Sequence, residues 1–213
     1  MLIRNQRTQR ILLILSTLGL GWLIFGHLLH VPLLNMLDTL SQSLTIEQVP
    51  SIFAWLTFIP YLFGHPFGTL VIFTTLLFCL WGFKYKIPAA WLGLSLLASE
   101  VVLLIADLLL TGLTQPHHFF NHTVFWLTWL YSSLAIFVLP EIKRWRLRLL
   151  SQLLLLVTWL AGISHALLTP AGTFTNCLAG WWLALVCLTL AEHWYIKGAP
   201  WASRFNGFHN SWY

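Results

Sequence analysis

Charge is what this chain has least of. Only 8% of its 213 residues are charged while 58% are hydrophobic, and the mean hydropathy is +0.79. A soluble domain carries about a quarter charged residues. So few polar groups cannot cover a water-facing surface, and lipid is expected to cover much of it. Cysteine is also scarce. Cys79, Cys177 and Cys187 lack the close paired spacing of a metal knuckle or a redox motif and read as buried free thiols. Internal repeats and low-complexity tracts are missing, so a transporter reading has no repeat or broken-helix pattern behind it. The first apolar run, Ile11 to about Leu29, is followed by no small-x-small cleavage site and reads as a retained span rather than a signal peptide.

What is present is a series of apolar runs divided by short polar breaks. They predict an all-α fold: a polytopic membrane helical bundle of six transmembrane helices in one domain, 1–213. The expected spans are about 11–30, 58–83, 88–112, 122–139, 149–168 and 176–196. Residues 31–54 form a more polar connection carrying Asp38 and Glu47, and Pro88 and Pro140 mark span ends. Tryptophans such as Trp22, Trp55, Trp81, Trp91, Trp145, Trp194 and Trp201 fall near span ends, where amphipathic rings anchor at the interface.

The basic residues sort along this plan. They form four clumps: Arg4, Arg7 and Arg10; Lys84 and Lys86; Lys143, Arg144, Arg146 and Arg148; Lys197 and Arg204. Alternating sides from a cytoplasmic N-terminus places all 11 Lys and Arg in the cytoplasm, and the outer connections 31–57, 113–121 and 169–175 hold none. Adding or removing one span breaks that sorting. Both termini are therefore expected in the cytoplasm, in a cell (inner or plasma) membrane. The net charge of +5 is topological, and no nucleic-acid partner is expected.

Histidine sorts the other way. His27, His30, His65, His117, His118, His122 and His165 map to the outer side, leaving His193 and His209 inside. His118 and His122, four apart, share one helical face at metal-ligand spacing, as do His27 and His30, three apart. Interfacial histidines also serve simply as neutral, amphipathic hydrogen-bonding groups. No cofactor is required by the pattern, though a metal or haem is chemically possible. Glu100 and Asp107, two turns apart on the third span, are ionisable groups within the membrane and are expected to face a polar interior or a partner.

The order of spans and breaks resembles the type 2 phosphatidic acid phosphatases, a family of membrane lipid phosphatases. The family's outer-face motifs are K-x6-R-P, P-S-G-H and S-R-x5-H-x3-D. The first would fall on Leu108 through Gln115 and Pro116, and the second on Phe119, Phe120, Asn121 and His122. The third would begin at Ser164 and His165 and end near Asn176, followed by CLAGWW in place of the family's D-V-L-A-G-W. This last alignment needs one extra residue and puts Ala171 or Gly172 at the nucleophilic histidine.

The resemblance implies an outer-leaflet pocket lined by Asp107, Gln115, His117, His118, Asn121, Ser164 and Asn176. Its candidate catalytic residues are His122, in the leaving-group position, and His165; a candidate metal pair is His118 and His122. The departures matter for chemistry. Leu108, Gln115 and His165 stand where three phosphate-binding cations belong, and the nucleophile is missing. The expected protein is thus a catalytically impaired relative that binds a membrane lipid or a membrane-protein partner. Alternatives are an active hydrolase of a lipid-linked phosphate with an altered histidine site, and a metal- or haem-binding membrane subunit.

Overall fold

The computed structural model describes residues 6–43, 50–111, 119–170 and 172–204, and among them all regular structure is helical. In chain order the helices are α1 (Gln6–Leu28), α2 (Pro32–Ser43), α3 (Ser51–Gly64), α4 (Pro66–Gly82), α5 (Lys86–Thr111), α6 (His122–Phe137), α7 (Trp145–Leu168) and α8 (Phe174–Ala202). A 3-10 turn, Leu139–Glu141, follows α6. Five helices, α1, α5, α6 with its 3-10 turn, α7 and α8, are long and apolar enough to cross a membrane. Helices α3 and α4 reach that length only together, bent by 64° at their junction, and would make a sixth span as a pair.

The bend follows from local chemistry. Pro66 occupies the first turn of α4, and the residue before a proline is pushed out of the helical region; His65 is extended, φ −72° and ψ 146°. The break frees carbonyls at the end of α3, and one finds a new donor when the Thr69 hydroxyl bonds to the Phe63 carbonyl at 2.8 Å. At Gly68 there is no room for a side chain, since a Cβ would lie 2.1 Å from the Leu62 carbonyl oxygen.

Two other helix ends share one device. Val31 N–H bonds to the Gly26 carbonyl and His30 N–H to that of His27; likewise Tyr85 bonds to Leu80 and Lys84 to Trp81. This paired pattern closes a helix around one left-handed residue, usually glycine. Here that residue is His30 (φ 50°) and Lys84 (φ 66°). His30 is spent on turning the chain from α1 into α2.

Helix α2 lies within the segment expected to be a polar connection. Proline at its first position and apolar residues at 34 and 37 make it amphipathic, with Leu34 and Ser41 buried. It docks on the start of α8. Asp38 accepts from Thr175 N–H at 2.7 Å and the Ser41 hydroxyl oxygen from Phe174 N–H at 3.1 Å. Two amides with no partner inside α8 are thereby satisfied, and the carboxylate sits at the positive end of the helix.

Helix α6 forms the centre, with Val124, Phe125, Leu127, Trp129 and Leu130 almost wholly buried. It packs against α3, α4, α7 and α8, while α1 and α5 lie against α8. Between helices in lipid, burial drives little association, because tails are as apolar as leucine; close packing by small residues and polar contacts must do it. A Cβ at Gly64 would meet the Thr123 carbonyl at 2.6 Å, and one at Gly19 the Trp182 ring at 2.8 Å.

These contacts also fix direction. Gln9 bonds to the Thr189 carbonyl while Gly19 faces Trp182, so α1 and α8 run antiparallel. The start of α1, the α4–α5 and α6–α7 turns and the end of α8 share one pole, which carries every Lys and Arg among the described residues whose side chains are placed. There Tyr85 donates to Glu141 at 3.0 Å, and that bond holds the phenol above its ordinary pKa. The opposite pole carries His27, His65, His122 and His165.

Candidate functional site

At the histidine-bearing pole, the last turns of α5 present Asp107. It is 5% exposed, so its charge must be met within the protein. One carboxylate oxygen accepts from Phe119 N–H at 2.8 Å and from Phe120 N–H at 3.4 Å. The other lies 3.6 Å from His122 Nε2, at the first residue of α6. Phe119 and Phe120 are both buried, meet edge-on at 4.9 Å, and Phe119 also packs on the His27 ring at 4.8 Å. Asp107 therefore anchors the entry to α6 and orients an imidazole that is about one-third exposed.

The neighbouring asparagines are helix caps. Asn121 accepts from Val124 N–H at 3.1 Å, as the N-cap of α6 requires. Its amide nitrogen lies 3.5 Å from Cys177 Sγ, and its backbone N–H bonds to the Asn176 carbonyl at 3.0 Å. Asn176 closes a capping box at the start of α8: its side-chain oxygen accepts from Thr173 N–H, and the Thr173 hydroxyl from Asn176 N–H. Gly180, one turn further on, allows this meeting of α6 and α8, for a Cβ there would lie 2.6 Å from the Asn121 carbonyl oxygen.

The structure thus brings Asp107, Asn121, His122 and Asn176 together, and gives His165 different company. His165 is buried on α7 with Nδ1 3.0 Å from the Thr57 hydroxyl on α3, and its ring packs on Tyr61 and Phe58 at 4.7 and 5.6 Å. The Thr57 hydroxyl can donate to the Phe53 carbonyl, leaving a lone pair for an Nδ1–H of the ring. Ser164 turns its hydroxyl back to the Leu160 carbonyl at 2.8 Å, and Leu108 is half exposed. A Cβ on Gly172 would lie 2.0 Å from the Ala166 carbonyl oxygen, so that position holds no side chain of any kind. Gln115, His117, His118 and Ala171 lie outside the described residues. Among the described residues, no three His, Cys, Asp or Glu side chains are grouped to hold a metal ion.

Chemically, Asp107 and His122 form a carboxylate–imidazole pair, with the carboxylate placed to orient the ring. Sequence reasoning passed over Thr57 and gave Asp38 no partner. Proline followed by apolar residues at 33, 34 and 37 was a legible sign of α2, but nothing local ties Asp38 to residue 175 or Thr57 to residue 165. Comparison with protein-family models, curated proteins and solved structures finds no match for this chain.

Proposed function

We propose that this chain is a six-span membrane protein with both termini in the cytoplasm and the layout of the type 2 phosphatidic acid phosphatases. In this reading its outer pole binds a lipid or a membrane partner without hydrolysing phosphate. One observation carries it: among the described residues, the polar side chains at and beside the motif positions, His122 apart, are engaged in building the scaffold. Asn121 and Asn176 cap α6 and α8, Asp107 receives two backbone amides, and His165 bonds to Thr57. Phosphoryl transfer through a histidine needs a free nucleophile and cations aimed at the transferring group. Neither candidate nucleophile position, Ala171 or Gly172, carries an imidazole, Gly172 has no space for one, and no Lys or Arg in the sequence falls on the outer connections. What remains at the surface is an exposed His27, its ring packed on the buried Phe119, beside a partly exposed His122, and these imidazoles suit contact with a lipid or a protein surface.

The test is phosphate release by purified protein in vesicles holding phosphatidic acid, phosphatidylglycerol phosphate or undecaprenyl pyrophosphate. Release no faster than in protein-free vesicles is expected. A photoreactive lipid should label His27 and His122, whereas labelling spread evenly over the lipid-facing helices would count against a pocket. The Asp107–His122 pair favours one second reading, a hydrolase that uses His122 as its proton donor. Phosphate release that disappears in His122→Ala would establish that reading and overturn the first.

A further inference from the structure

At the opposite, basic pole, a cleft of about 520 Å³ opens between the start of α1 and the last turns of α8. Its rim and walls divide by chemistry. Arg10, His193 and Lys197 border it, and Leu13, Leu190 and Ile196 supply apolar wall. The polar groups at its floor are already engaged, since Gln9 donates to the Thr189 carbonyl at 3.3 Å and the Thr189 hydroxyl to the Leu185 carbonyl at 2.8 Å. Arg10 and Lys197 are different: among the described residues, neither has an ion-pair or hydrogen-bond partner. Two cations from opposite ends of the chain, with no described partner, therefore stand on the residues that border one almost wholly apolar cleft at the end of the bundle.

We propose that this cleft binds one anionic phospholipid, its phosphate between Arg10 and Lys197 and the upper part of an acyl chain along Leu13, Leu190 and Ile196. Charge selects the headgroup, because two cations held beside a low-dielectric wall attract an anion more strongly than the same charges do in bulk water. The apolar wall selects a lipid over a free phosphate, which would leave Leu13 and Ile196 facing water. His193, one turn before Lys197 on the same helix face, adds a hydrogen-bonding group for the headgroup. The site lies at the far pole from Asp107 and His122 and stands whether or not the outer pole hydrolyses anything.

The test is native mass spectrometry of the full-length protein in lipid-free micelles, titrated with phosphatidylglycerol or phosphatidylcholine. One phosphatidylglycerol is expected to bind in preference to phosphatidylcholine. At roughly one unit of surface-charge attraction per cation, Arg10→Gln with Lys197→Gln should weaken phosphatidylglycerol about thirty-fold and leave phosphatidylcholine unchanged. Arg10→Lys with Lys197→Arg should keep binding, and Leu13→Trp, which narrows the cleft while keeping both cations, should weaken it. Excess inorganic phosphate should not displace the lipid. Equal affinity for the two lipids, an equal loss in a Lys84→Gln, Lys86→Gln control, displacement by phosphate alone, or full binding by Leu13→Trp would each overturn the site.

Discussion

Asp107 is the most heavily used polar residue at the histidine-bearing pole. A carboxylate among apolar helices is costly, and it persists here because two amides and an imidazole surround it. Removing it would orphan the Phe119 amide in a buried position. Asp107→Ala is expected to lower stability by about 1–3 kcal/mol, the cost of an unsatisfied buried donor. Asp107→Asn keeps an oxygen acceptor and should recover most of that loss in thermal unfolding of the detergent-solubilised protein. If both variants fall equally, the carboxylate's charge and not its acceptor oxygen is what matters. His122, by contrast, reads as the adaptable member of the pair, since part of its ring faces out of the fold.

Helix pairing rests on a few positions where backbones come close. Gly180 sets α8 against the N-cap of α6, and the Asn121–Asn176 backbone bond depends on that approach. Gly180→Ala forces a Cβ against a carbonyl and is expected to destabilise by about 1–3 kcal/mol. Gly21 on α1 is the internal control, because no atom lies within 4 Å of a Cβ placed there. Gly21→Ala removes a flexible residue from a helix interior and should stabilise by up to about 1 kcal/mol. Opposite signs in the two melting temperatures are the expected result. Two effects of the same sign would mean that helix propensity, not the α6–α8 approach, governs both sites. The bent α3–α4 pair is held differently, by Pro66 within the chain and by the Thr57–His165 bond to α7.

Across the whole molecule, the described basic residues collect at one pole and the described histidines, His193 apart, at the other. The positive-inside rule then predicts which pole faces the cytoplasm. With Cys79, Cys177 and Cys187 replaced by alanine, a membrane-impermeant maleimide added to intact cells should label Pro170→Cys and spare Lys143→Cys. Labelling of Lys143→Cys alone would invert the orientation and carry the His27 and His122 surface and the cleft to the opposite leaflets. A lipid bound in the Arg10–Lys197 cleft would link α1 to α8 at the pole where no described salt bridge does so.

The sequence by itself determined the helical, lipid-facing character of the chain and the sorting of its charges, because both depend on composition summed over contiguous residues. The apolar run over 58–83 reads as one continuous span, and the interruption at Pro66 with its 64° bend emerges only in the structure. Only the tertiary structure decided which polar groups meet. Asp38 satisfies the start of α8, Thr57 receives His165, and Arg10 shares a cleft with Lys197. Those partners are distant in the chain, and each depends on where a glycine or a short side chain lets two helices close. Within lipid, hydrophobicity is nearly the same on every apolar face, so it marks the spans without ranking their pairings. That is why the membrane character was legible residue by residue, whereas the candidate site had to be read from contacts.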